Sequence, residues 1–265
     1  MLFDTHAHLD SPKFDNDREE VIARAKEAGV GTIVNIGFNR ETIPTTMALA
    51  EKYDFIYAAV GWHPTDAADM RIEEDLAWIE SLCGHPKVVA IGEIGLDYYW
   101  DTSPKEVQHT VFREQIRLAK RLDKPIVIHN RDAHEDVVRI LREEGASEIG
   151  GIMHCFSGSW ETAKQCLDMN FYISFGGPVT FKNARVPKEV LARVPLDRLL
   201  IETDAPYLTP HPYRGKRNES SYVQFVADSA AEITGLSREK IEEITDRNAR
   251  ACFRLEEKPV TNEEK

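Results

Sequence analysis

His6 and His8 stand one residue apart at the end of the first apolar run, Phe3-Asp4-Thr5-His6-Ala7-His8. In an extended strand residues i and i+2 share a face, so both imidazoles aim at one point. Imidazole is the commonest protein ligand for divalent metals, and a pair on one rigid element needs little further ordering to close round an ion. Two half-exposed histidines satisfied by water or backbone would show the same spacing, so the pair gains meaning from what else reaches it. Glu93, His129, His154 and Asp204 each fall at the end of a later short apolar run. With His6 and His8 they make four imidazoles and two carboxylates, donors enough for two cations and for hydrolytic chemistry.

One architecture brings such distant residues together. Short β-branched runs alternate with longer amphipathic ones along the 265 residues, the pattern of βα units round a parallel sheet. Strands are expected over 2–8, 32–37, 56–61, 88–93, 125–129, 151–155, 172–175 and 199–204, and most are nearly continuous in apolar residues, as buried parallel strands are. Apolar positions at three- and four-residue steps mark helices over 17–28, 76–82, 105–121, 135–144, 162–168 and 222–234, with a last one over 238–245. Gly29, Gly84, Gly145 and Gly235 follow four of these, where helix stops belong. Eight units predict an α/β fold, a (β/α)₈ TIM-type barrel in one domain spanning 1–265, with a charged tail over 256–265. The C-terminal strand ends of a closed barrel ring one mouth, where barrel active sites are built. All six ligand-type residues sit at those ends.

Composition narrows the partners. A net charge of −12 argues against coating duplex nucleic acid, which needs many Lys and Arg contacts to phosphate, but permits gripping one strand end. Cys83, Cys155, Cys166 and Cys252 show no CxxC spacing, so neither a disulfide framework nor a thiolate zinc site is expected, and a reducing cytoplasm is. No segment reads as a targeting signal or reaches the length of a membrane span. Oligomeric state has no signature here.

Five stretches, DTHAHLD at Asp4 to Asp10, GEIGLDY at Gly92 to Tyr98, IHNRDA at Ile128 to Ala133, HCFSG at His154 to Gly158 and ETDAPYL at Glu202 to Leu208, resemble the TatD family of metal-dependent deoxyribonucleases. GWHP at Gly61 to Pro64 and RGKRNE at Arg214 to Glu219 are also similar to family segments, the second departing at Ser220, where the family usually has proline. The likeness runs along nearly the whole chain. It implies a distorted barrel of the amidohydrolase-like superfamily and a Mg²⁺-supported nuclease acting on DNA, on single strands or by trimming 3′ ends. It also implies two cations, the first on His6, His8, Glu93 and Asp204 and the second on Glu93, His129 and His154. Glu93 would bridge them, partly neutralising two dications about 3.5 to 4 Å apart. Water activated between them would attack phosphorus, with Asp204 a candidate general base or a plain ligand.

Around this set several residues have two readings. His63 could touch a phosphate oxygen, protonate a leaving group or sit idle on the rim. Arg131, Arg214, Lys216 and Arg217 could clamp phosphate or be solvated surface. Glu202 shares a face with Asp204 and is expected to bond a ligand histidine. Tyr98, Tyr99 and Trp100 could stack on unpaired bases or cap the barrel. Nitrogen-rich donors suit Zn²⁺, Ni²⁺, Mn²⁺ or Fe²⁺ better than Mg²⁺, so a bound ion can differ from the working one. Because a barrel does not dictate its substrate, hydrolysis of a small amide, lactone or cyclic imide is the alternative activity.

Overall fold

The apolar runs do form eight strands, and the computed structural model describes residues 1–256 of the chain. In order they are β1 (Leu2–Ala7), β2 (Val30–Gly37), β3 (Ile56–Val60), β4 (Val88–Asp97), β5 (Ile126–Arg131), β6 (Gly151–Met153), β7 (Phe171–Phe175) and β8 (Leu199–Ile201). Each pairs in parallel with the next, giving one sheet ordered β1 to β8. The helices between them are α1 (Arg18–Glu27), α2 (Thr42–Lys52), α3 (Ile72–Leu82), α4 (Lys105–Leu122), α5 (His134–Glu143), α6 (Trp160–Asp168), α7 (Arg185–Leu191) and α8 (Val223–Thr234), followed by α9 (Arg238–Phe253). This is the expected (β/α)₈ TIM-type barrel. Of the tail assigned to 256–265, only Glu256 lies within the described residues. Among these, no helix is long and apolar enough to cross a membrane.

The ring closes beyond the end of β8. There Asp204 N donates to His6 O at 2.9 Å and His8 N to Ala205 O at 2.8 Å. Asp4, wholly buried on β1, accepts from Thr203 N at 2.9 Å and Thr203 Oγ1 at 2.6 Å, and burial pushes its carboxyl up to about 7. A buried carboxyl with two bonds across the seam fixes how β1 and the segment after β8 lie against each other. That seam carries His6, His8 and Asp204.

Two helices over 42–52 and 185–191 escaped the sequence reading because each holds a proline, Pro44 and Pro187. Both prolines occupy the first turn, where the backbone N–H has no intrahelical partner to lose. Strand lengths also differ. β4 continues four residues past Glu93 to Asp97, while β6 and β8 stop short, leaving His154 and Asp204 on the turns that follow.

The last helix runs to Phe253 rather than stopping at Thr245, because its polar residues are buried against the barrel floor. Asn248 Nδ2 donates to Leu196 O and Leu199 O at 2.8 and 2.9 Å, and Arg250 Nη2 to Thr32 Oγ1 at 3.2 Å. Phe253 stacks on Phe3, ring centroids 6.0 Å apart, within the apolar layer of Val34, Ile36, Ala59, Val127 and Leu200. Since α9 plugs the N-terminal end, Phe253→Ala should destabilise the barrel by about 3–5 kcal/mol. Chemical denaturation measures this, and a loss within error would show that α9 is not part of the cooperative unit.

Candidate metal centre

His6 and His8 reach the C-terminal mouth of the barrel with their Nε2 atoms 3.3 Å apart. β4 brings Glu93 to the same point, its Oε2 lying 3.3 Å from His6 Nε2 and 3.9 Å from His8 Nε2. Asp204 adds Oδ1 at 3.6 and 3.3 Å from the same two nitrogens. Its backbone sits in the left-handed region, φ 57°, a conformation uncommon for a side chain and held here by the bond to His6 O. Such separations exceed an ordinary N–H···O bond of about 2.7–3.2 Å. They match the edge, about 3.4 Å, of a tetrahedron of donors placed about 2.1 Å from one ion. Two imidazoles and two carboxylates, all buried, therefore form a cage that suits a divalent cation.

The second oxygen of Glu93 faces a different set. Oε1 lies 2.7 Å from His129 Nδ1, 3.4 Å from His154 Nε2 and 3.6 Å from His63 Nε2. All six expected ligand residues are thus gathered, His63 joins them, and Glu93 stands between two donor groups. The grouping on this side differs from Glu93, His129 and His154 alone. Imidazole centroids of His63 and His129 are 4.3 Å apart, against 6.4 Å for His129 and His154. Distance would admit His63 as a ligand, since it clusters with Glu93 and His129. Its Nδ1 is turned to Thr65, 3.2 Å from the backbone N and 2.6 Å from Oγ1, so Nε2 is the nitrogen that points at Glu93. Burial and the nearby His129 hold the ring below the usual imidazole range, which favours its neutral form.

Carboxylates behind the imidazoles hold them in place. Asp97 Oδ2 lies 2.8 Å from His129 Nε2, while its Oδ1 accepts from Tyr99 N and Trp100 N at 2.9 and 3.0 Å. Glu202 Oε1 lies 2.7 Å from His154 Nδ1 and accepts from Cys155 N at 2.8 Å, in keeping with its expected place behind a histidine. Asp97 was missed. Its signal was the even spacing from Glu93 on one strand, hidden by ending that strand too early. Close packing of β4 on β5 requires Gly95, whose φ is +145° and whose added Cβ would sit 2.0 Å from His129 O.

Electrostatics sort the imidazoles. Burial would raise Glu93, but His154, His6 and His63 together hold it well below the usual carboxylate range. Burial would lower His154, yet Glu202 and Glu93 push it up to about 10. His6 stacks on His154 with centroids 3.6 Å apart and is lowered, first by burial and then by that neighbour. Burial opposes protonation of His8 and His129 too, but Asp204 outweighs it for the first and Asp97 for the second.

Rim residues divide in the same way. Arg217 is committed to Asp17, at 2.8 and 2.5 Å, and to Lys13 O at 2.7 Å, so it pins its loop to the start of α1. Arg131, Arg214 and Lys216 are exposed, their charges lying over Tyr99, Phe181 and Tyr213 respectively. Tyr98 turns inward to bond Asp136 and His109, whereas Tyr99 and Trp100 face solvent.

A family model described as TatD related DNase matches residues 3–254. The chain is 64% identical over 255 residues, 96% of it and 100% of the relative, to an uncharacterized metal-dependent hydrolase, YabD, of Bacillus subtilis (strain 168). It is 34% identical to the 3′-5′ ssDNA/RNA exonuclease TatD of Edwardsiella piscicida, over 96% of this chain and 100% of that one. The crystal structure of YJJV, a TatD homolog from Escherichia coli K12, superposes with a TM-score of 0.90 at 33% identity, covering 96% and 98% of the two chains.

If Glu93 joins the two donor groups, Glu93→Gln should abolish divalent-cation binding in isothermal calorimetry while leaving the far-ultraviolet dichroism unchanged. Asp97→Asn, which keeps the shape behind His129, should weaken cation binding roughly 10–100-fold. Wild-type affinity in both variants would show that these carboxylates are structural only.

Proposed function

This chain belongs to the TatD family of metal-dependent hydrolases, and on that premise we propose that it hydrolyses phosphodiester bonds of DNA, in single strands or at strand ends. The observation that carries the reading is one buried carboxylate, Glu93, shared between the His6, His8 and Asp204 cage and the His129 and His154 side. Two divalent cations fit that division, the first on His6, His8, Glu93 and Asp204, the second on Glu93, His129 and His154. When bound, they supply Lewis acidity, lowering the pKa of water and neutralising charge that builds on phosphate.

The chain's own residues do the rest. The Asp204 side chain is more open than that of Glu93, 13% against 4%, so it is the carboxylate that meets water arriving from the mouth. We assign it the proton of the attacking water. His63, its Nε2 facing Glu93, is placed to bond a phosphate oxygen; a ring that burial keeps neutral has no acidic proton to give the leaving oxygen. Arg131, Arg214 and Lys216 suit phosphate contact at the rim; Arg217, already paired with Asp17, positions their loop instead. Mg²⁺ is the working ion in this reading, with Zn²⁺, Ni²⁺, Mn²⁺ or Fe²⁺ able to occupy the nitrogen-rich donors. Four free cysteines, three of them buried, suit a reducing cytoplasm.

Net charge of −12 favours a second reading, hydrolysis of a small amide, lactone or cyclic imide by the same centre. End-labelled single-stranded DNA and a panel of small esters and amides separate the two. DNA should be cleaved, cleavage should stop with a chelator and return with divalent cation, and Asp204→Asn should cost roughly 10²–10⁴ in kcat. Turnover of a lactone or amide with DNA untouched would overturn the nuclease reading. His63→Ala should slow cleavage of DNA and of p-nitrophenyl phosphodiesters alike, as loss of a bond to phosphate implies; a loss confined to DNA would assign His63 to the leaving oxygen instead.

A further inference from the structure

The barrel mouth carries aromatic surface that the hydrolytic centre does not use. Tyr99 and Trp100, just past β4, are 55% and 53% exposed, and Tyr207, just past β8, is 46% exposed. In a ring ordered β1 to β8 the fourth and eighth strands stand opposite one another, so these rings flank the centre on two sides. Each side is tied to a candidate ligand. Asp97 holds the backbone of Tyr99 and Trp100 with one oxygen and lies against His129 with the other. The Tyr207 ring lies 6.1 Å from that of His8, steeply tilted to it.

Both sides also carry a cation on an aromatic face. The Arg131 guanidinium lies 3.8 Å from the Tyr99 centroid, and Lys13 Nζ lies 4.5 Å from that of Tyr207. Tyr99 and Trp100 are adjacent exposed rings, with centroids 4.9 Å apart, and like Tyr207 they border the centre just described. A ring with a positive charge over one face complements an unpaired nucleotide, which offers a planar base to the other face and a phosphate to the charge. Bases in a duplex are stacked on each other and present no face.

Resting on the nuclease reading, we propose that Tyr99 and Trp100 with Arg131, and Tyr207 with Lys13, are two platforms on which unpaired bases either side of the scissile phosphate stack. They select single-stranded substrate. Phosphate is placed over the centre because its neighbours on each side are seated.

The test compares wild type, Tyr207→Ala, Tyr207→Phe and the double variant Tyr99→Ala/Trp100→Ala at saturating divalent cation. Substrates are a labelled single-stranded oligonucleotide and one of the same length with abasic nucleotides. Exposure predicts unchanged thermal melting for all variants. On the normal strand the alanine variants should raise KM roughly tenfold or more with kcat nearly unchanged, as loss of a base–aromatic stack implies. Tyr207→Phe keeps the ring and should behave as wild type. On the abasic strand wild type should already show the raised KM, with no further rise in the variants. Unchanged KM in the alanine variants, or an equal rise on both strands, overturns the platforms while leaving the nuclease reading intact. If wild type cleaves neither strand, that reading falls and the inference with it.

Discussion

A carboxylate 3% exposed, Glu93, is the constraint from which the rest of the mouth follows. An ionised group taken out of water stays so only where positive charge and hydrogen-bond donors stand close to it. The barrel meets that demand with imidazoles from β1, from the turn after β3, from β5 and from the turn after β6, all within 3.9 Å of one carboxylate oxygen or the other. Distance from one another along the chain is no obstacle, since strand ends of a closed ring are neighbours. A divalent cation would meet the same demand in place of the protons on those imidazoles.

Precision comes from what stands behind the imidazoles. Asp97 and Glu202 each approach the far nitrogen of a histidine, and both are themselves hydrogen-bonded to backbone. Outer partners of this kind set ring orientation and basicity. Asp97 does more, because the same carboxylate shapes the turn that presents Tyr99 and Trp100. The proposed platform on Tyr99 and Trp100 and the candidate metal centre are therefore joined through one carboxylate at the end of β4.

Family membership and substrate rest on different residues. The centre is built by strand ends and the turns beside them. On the reading proposed above, substrate choice would lie with rim side chains such as Lys13, Arg131 and Tyr207, which a barrel is free to vary without touching its core. Arg217 illustrates the difference: a cation that reads as a phosphate contact in sequence is spent on holding a loop.

Alternation of short apolar and longer amphipathic runs was enough to specify eight βα units, because buried parallel strands and half-buried helices impose different periods on the chain. The same pattern put His6, His8, Glu93, His129, His154 and Asp204 at one mouth, since a closed parallel ring has only one set of C-terminal ends. Expectation and fold parted at α2 and α7, whose prolines sit in the first turn, and where long-range packing ruled: the continuation of β4 to Asp97, and α9, whose Asn248 and Arg250 find partners on the barrel floor. Tertiary structure alone decided that Nε2 of His63 faces Glu93, that Asp97 stands behind His129, and that Arg217 is paired. Each depends on which atom of a side chain meets which neighbour across the ring, and one-dimensional spacing does not encode that.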